Sequence, residues 1–291
     1  MLDISIVGAG RMGGALALAL DRVGHTVSRL IYRCTTPQLK GFHRNPNIAS
    51  INEVKGFTSD AIFITTQDSE IAAAARRLES LVEGSSSVFI TSGALSSRSI
   101  DNLKDIGCKI GSVHPLVSIS DPVLGAARFK GAYFCVEGDP EAVRVAETIV
   151  SSLKGHSFSI PTDKKPLYHA AAVASSGHLL ALIDIAIGML EKCGLDSSEA
   201  KKILLPLIES TIDNLKEQTI EESLTGTFAR GDVETFESHL VALEKNADAD
   251  LTRIYLALGL HSLEVADRHP GKTDTLTKLK ERVLIAKREL R

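Results

Sequence analysis

The chain has no tryptophan and no C-x-x-C pair, and its four cysteines, Cys34, Cys108, Cys135 and Cys193, are far apart. That scatter excludes the usual zinc-ligand spacings, so no metal is expected, and it favours reduced thiols in a cytoplasmic protein. Charge of one sign is also lacking, since 33 Lys plus Arg face 36 Asp plus Glu. No global field then points to nucleic acid or to a membrane surface, and neither is expected as a partner. An export signal is not expected either, because strand-like sequence begins at Leu2 with no basic start or cleavage site before it. What remains to be found is a local site for a small-molecule substrate.

Long apolar runs are scarce. The one candidate, Ala170 to Leu190, approaches the roughly 20 residues of a membrane span, yet it carries Ser175, Ser176, His178 and Asp184. Charges in lipid are expensive, so the reading is a buried central helix. Such a helix needs cover all round, from its neighbours or from a second subunit. A homodimer through the helical half is therefore expected.

The 291 residues are enough for two domains. In the first half, short β-branched runs alternate with helical patterns, the sequence form of a mostly parallel sheet with crossover helices. Strands are read near Asp3 to Val7, Thr26 to Tyr32, Ala61 to Thr65, Ser87 to Thr91, Lys109 to Val113, Tyr133 to Val136 and His156 to Ile160. Helices are read near Met12 to Val23, Ser69 to Leu81 and Pro140 to Leu153. After "PTDKKP" (Pro161 to Pro166) the helical period takes over, with helices near Leu167 to Lys192, Ser197 to Lys216, Val233 to Asn246, Asp248 to Asp267 and Thr273 to Leu290. The expected organisation is an α/β protein with a Rossmann-type domain over 1–162 and an all-helical substrate and dimerisation domain over 163–291.

The most informative stretch is "DISIVGAGRMGGALALAL". A strand runs into Gly8, Ala9, Gly10, Arg11, Met12 and Gly13 and then into an Ala/Leu helix, the full context of a dinucleotide fingerprint. Gly8 permits the tight turn, Gly10 lets the backbone approach a pyrophosphate, and Gly13 lets helix and strand pack closely. The helix N-terminus offers free N–H groups to the anion. At the end of the second strand, "RLIYRCTT" supplies Arg33, Thr35 and Thr36 and no carboxylate. A guanidinium suits a 2′-phosphate, so NADP is favoured over NAD. Ligands in open parallel sheets sit beyond the carboxyl ends of the strands. Thr65, Thr66 and Gln67, then Ser92, then His114 occupy such ends, where Thr, Ser and the following Asp68 are equally ordinary helix caps.

The succession "VGAGRMG", "TSGALSS", "HPLVS", "YHAAAVASSGHLLAL" and "LTGTFARGDVETFESHLVAL" resembles a bacterial family of Rossmann-like proteins whose C-terminal half is a domain of unknown function. By fold that family is grouped with pyrroline-5-carboxylate reductase, ketopantoate reductase and the deazaflavin-dependent NADP reductases. The resemblance spans nearly the whole chain and implies an NADP-binding domain followed by a helical dimerising one. It supplies no substrate. The family pattern tends to Asn where this chain has Gly177 and to Pro where it has Thr227.

Hydride transfer to a carbonyl or imine needs a proton donor or cation near the developing charge. Lys165, Tyr168 and His169 stand at the entrance to the long helix, and a spacing of three or four would put His169, Ser176 and Asp184 on one stripe. His169 is the first candidate for acid or substrate anchor, against the reading of a histidine that satisfies a backbone carbonyl. Lys165 is the second, against a solvated Lys164–Lys165 turn, and His114 is the third. In "SLTGTFARGD" (Ser223 to Asp232) Arg230 can hold a carboxylate or phosphate, Asp232 reads as a helix cap, and His239 follows along that helix. Two functions fit these features: an NADP-dependent oxidoreductase for a small anionic carbonyl or imine compound, or a non-catalytic NADP(H)-binding sensor.

Overall fold

A computed structural model describes residues 1–269 and 273–290. Contacts along the chain divide it into two compact units, Met1–Gly177 and His178–Arg291.

The first unit is built on β1 (Asp3–Val7), β2 (Thr26–Tyr32), β3 (Asn47–Ser50), β4 (Ala61–Ile64), β5 (Ser87–Ile90), β6 (Lys109–Pro115), β7 (Tyr133–Gly138) and β8 (His156–Phe158). These form one sheet in the order β3-β2-β1-β4-β5-β6-β7-β8. All neighbours are parallel except β6 and β7, which run antiparallel. Helices α1 (Arg11–Arg22), α2 (Asp68–Leu78), a short α3 (Pro122–Gly125) and α4 (Pro140–Ser152) connect the strands, and α5 (Lys165–Ser175) closes the unit. Side chains alternate across a strand, so each strand feeds two layers. Ile4, Ile6, Phe63 and Phe89 pack with α1 and α4 through Leu16, Leu20, Ala146 and Ile149. On the opposite face Val7, Ile62, Ile64, Val88 and Ile90 pack with α2 through Ile71, Ala75 and Leu78. Burial on both faces explains why these strands read as near-continuous apolar runs.

β3 was not legible as a strand. It is a four-residue edge element in "NIAS" with no buried residue, preceded by Pro46, so neither length nor alternation marked it.

The second unit holds α6 (Gly177–Lys192, its first residue shared with the first unit's end), α7 (Ser197–Glu217), the short α8 (Ile220–Ser223) and α9 (Thr227–Arg230), α10 (Val233–Asn246), α11 (Ala249–Ala266) and α12 (Thr273–Glu289). Its core is Phe236, Leu240, Leu256, Leu263, Leu276, Leu279 and Val283, drawn from α10, α11 and α12.

Two expectations need correction. The helix read as one piece from Leu167 to Lys192 breaks at Ser176, whose φ of −127° and ψ of −73° are not helical, so the stripe of His169, Ser176 and Asp184 is interrupted. The cluster Ser175-Ser176-Gly177 was the signal for it, because Ser side chains compete for backbone groups and Gly weakens a helix. The central helix is also not buried within the chain: no residue of α6 is buried, and Leu180 is 65% exposed.

Candidate functional site

The glycine turn joins β1 to α1 as its sequence requires. Gly8 has φ +111°, and a Cβ there would lie 2.9 Å from the backbone of Thr65 and Thr66. A Cβ on Gly13 would sit 1.9 Å from Gly8 O and 2.3 Å from Thr65 Oγ1. Gly10 has open space around its missing Cβ, and as N-cap of α1 it supplies no side-chain cap. The first N–H groups of α1 are thus left for an anion. Thr65 braces the turn, its hydroxyl donating to Gly8 O at 2.5 Å. Ala9 and Met12 pack against the core, while Arg11 at the start of α1 is exposed.

Beside the turn is a pocket of about 310 Å³ lined by Gly8, Arg33, Thr66, Glu70 and Arg77 among others. Arg33 is there as expected, but it pairs with Glu70 at 2.6 Å. Thr66 Oγ1 is buried with no hydrogen-bond partner. A buried hydroxyl is expensive to leave unpaired. An unsatisfied hydroxyl, a cradle that any Cβ would fill and a guanidinium together fit a dinucleotide. Thr35 is exposed in the loop after β2, and Gln67 is the N-cap residue of α2, making Asp68 the first helical residue rather than the cap. Because the Gly8 backbone and the hydrogen-bonded Thr65 hydroxyl face Gly13, Gly13→Ala is expected to lower stability by about 1–3 kcal/mol, as overpacking does. Thermal unfolding and nucleotide titration of that variant should show both a lower Tm and lost binding.

A second group gathers beyond β5 and β6. Lys165 is fully buried: Nζ donates to Ser112 Oγ at 2.7 Å and to Ser92 O at 3.3 Å, and lies 3.7 Å from Glu137 Oε1. It is not the solvated turn residue that the Lys doublet allowed. Burial pulls its pKa below the ordinary lysine value despite the attraction of Glu137. Glu137 in turn accepts from Ser97 N and Ser97 Oγ, both at 2.8 Å. Ser92 uses its hydroxyl to accept from Ala94 N and Leu95 N. Sequence reasoning missed Glu137 and Ser112, brought together by the pairing of β6 with β7, and Ser97, which reaches Glu137 from the helical turn after β5.

With α5 pinned by Lys165, the residues three and four positions on face His114. Tyr168 Oη and His114 Nδ1 are 2.7 Å apart, and His114 meets His169 edge to face at 5.6 Å between centroids. Gly93 makes room for both imidazoles, since a Cβ there would lie 2.3 Å from His169 Nδ1 and 2.8 Å from His114 Nε2. His169 Nδ1 is buried without a partner, so it satisfies no backbone carbonyl through that atom. Burial, then the neighbouring His169 and Lys165, depress His114 to a pKa of about 4, and burial raises that of Tyr168. A phenol donates more readily than it accepts. We therefore assign the shared proton to Tyr168 and the N–H of neutral His114 to Nε2. His114 and His169 line a cleft of about 390 Å³ with Val117, Ala172, Val173 and Ser176. Ser176 is exposed and donates to Ala172 O at 2.7 Å.

The depressed His114 has a stability consequence. Its folded pKa lies below the unfolded value, so the unfolded chain binds more protons between about pH 6.5 and 4. The contribution is whole above that window and is lost as pH falls through it, by about 3 kcal/mol at most. Denaturant unfolding across the window should show the loss, and His114→Gln should flatten it.

In the second unit the "SLTGTFARGD" segment is largely accounted for by packing. Asp232 caps α10, accepting from Thr235 N at 3.0 Å. Gly231 has φ +68° and lets the chain pass the backbone of Thr275 and Leu276. Arg230 ends α9 and is exposed. His239 Nδ1 lies 2.7 Å from Tyr255 Oη, in a pocket of about 400 Å³ with Met189, Lys192, Leu243 and Leu251.

The mostly parallel sheet, followed in sequence by a helical unit, is a Rossmann-like arrangement. Residues 1–115 match the Rossmann-like domain family, and residues 132–262 match a domain of unknown function, DUF2520. The chain thus carries a Rossmann-like match followed by a DUF2520 match. No curated protein matches it in sequence. A protein from Thermotoga maritima is similar at 23% identity and a TM-score of 0.63, covering 96% of this chain and 98% of its own. Another from Bacteroides fragilis, provisionally assigned as an NADP oxidoreductase, shares 20% identity with a TM-score of 0.69 over 91% and 98%. The Plasmodium falciparum pyrroline carboxylate reductase, solved with NADP bound, shares 16% identity with a TM-score of 0.57 over 96% and 97%. These likenesses define a fold.

Proposed function

We propose that the protein is an NADP-dependent oxidoreductase acting on a small, anionic carbonyl or imine compound. The observation that carries this reading is the convergence of His114 Nε2 and the unpartnered His169 Nδ1 on Gly93, on the same strand-end edge as the glycine turn. Gly8, Gly10, Gly13, Thr66 and the N-terminus of α1 hold the nucleotide, and Arg33 meets its 2′-phosphate. Bound NADPH supplies hydride. The chain's own residues supply the rest. Neutral His114 donates a hydrogen bond from Nε2 to the oxygen or nitrogen that gains charge, and Tyr168 holds it in that tautomer. His169 is the group that delivers the proton. Lys165 positions α5 and does not touch substrate. In the second unit, exposed Arg230 is the candidate anchor for an anionic substrate.

Nucleotide binding is tested by thermal shift. NADPH at 100 times its Kd should stabilise the chain by about 2.7 kcal/mol. No shift would remove the nucleotide, and the reading with it.

We also propose a homodimer through α6 and α7. The support is that neither helix joins the second unit's core, although Leu180 and Leu207 are 65% and 64% exposed. Contiguous exposed apolar surface marks an interaction site. Sedimentation should give twice the 31.2 kDa chain mass; a monomer at micromolar concentration contradicts the dimer.

A further inference from the structure

The end of β2 lacks the carboxylate that would select NAD, yet a carboxylate reaches the same pocket from elsewhere. Glu70, in the first turn of α2, lines the pocket with Gly8 and holds Arg33 at 2.6 Å. We propose that Glu70 is a specificity-determining residue that sets how strongly the nucleotide pocket prefers NADP to NAD, an inference that rests on the dinucleotide reading above.

A 2′-phosphate and the Glu70 carboxylate are both anions, and both need the Arg33 guanidinium. They therefore compete. A 2′-hydroxyl does not compete, because it donates to a carboxylate, which is the interaction that an acidic residue at the end of the second strand supplies in NAD-selective sites. Glu70 thus opposes NADP and supports NAD, while Arg33 does the reverse. The Arg33 side chain is 66% exposed and that of Glu70 29%. An exposed pair of this kind is weakly held, so a phosphate can draw Arg33 away. The carboxylate stays behind. Arg77, lining the same pocket, adds a second cation that keeps the local balance positive.

The test is a pair of binding titrations, NADPH and NADH, at fixed ionic strength on the full chain, on Glu70→Gln and on Arg33→Gln. Glu70→Gln keeps the side chain's size and removes its charge. It should tighten NADPH and weaken NADH, raising the ratio of the NADH to the NADPH Kd about tenfold, or ~1.4 kcal/mol. Arg33→Gln should lower that ratio. Higher salt should narrow the gap between Glu70→Gln and the unaltered chain. Glu70→Ala, if Glu70→Gln folds poorly by circular dichroism, should shift the ratio in the same direction. If the unaltered chain binds NADPH and the ratio moves less than twofold in the Glu70 variants, the inference fails alone. If the unaltered chain binds neither nucleotide, the dinucleotide reading fails and takes the inference with it.

Discussion

Lys165→Met is expected to destabilise the first unit by about 3–5 kcal/mol, the usual result of removing one partner from a buried ion pair. The amine has no exposure, and its loss strands the buried Glu137 on β7 and leaves Ser112 Oγ without its donor. For a domain of this size, 3–5 kcal/mol corresponds to a drop in Tm of roughly 10 °C. Glu137 keeps its two bonds from Ser97, which places the effect toward the lower end. The companion variant Lys165→Met with Glu137→Gln removes both charges and should recover a large part of the loss, because paired removal leaves no buried charge behind. A fall in Tm below about 2 °C for Lys165→Met would mean that the amine is not held as described. Because Lys165 positions α5, the single variant should also lose the Tyr168–His114 contact. Imidazole titration by NMR would then show His114 moving up from about 4 toward its ordinary value.

His169→Ala should lower kcat/KM for NADPH-dependent turnover by about 10²–10⁴, the range for a general acid. NADPH binding should stay within twofold, since His169 lines the cleft with His114 and not the pocket with Arg33. His169→Asn, which retains a donor, should fall between. Equal turnover in His169→Ala and the unaltered chain would reassign the proton to another group. His114→Gln should give a smaller loss, because the neutral imidazole supplies a hydrogen bond rather than a proton and Gln retains a donor.

Much of the fold was legible because its signals are local. The Gly8-to-Gly13 turn needs only its own strand and helix, and Asp232 needs only Thr235 to act as a cap. What was missed depends on distant chain segments. Glu70 reaches Arg33 from a helix 37 positions away, and Glu137 reaches Lys165 from a strand 28 positions away. Neither spacing is a motif. The Lys164–Lys165 doublet reads as solvent-facing, and only the fold separates the two, with Lys164 exposed and Lys165 enclosed. Gly93 carried no signal beyond that of a turn, because its role is to be absent where two imidazoles meet. The apolar run of α6 reads as a buried central helix, but no residue of α6 is buried within the chain.

The central claim is catalysis, and the most direct measurement is loss of reduced-nicotinamide absorbance from NADPH across a panel of small anionic carbonyl and imine compounds. Turnover is expected with at least one of them, abolished in His169→Ala while NADPH still binds. Tight NADPH binding with no turnover across the whole panel would contradict it and would mark the protein as a non-catalytic NADP(H) sensor.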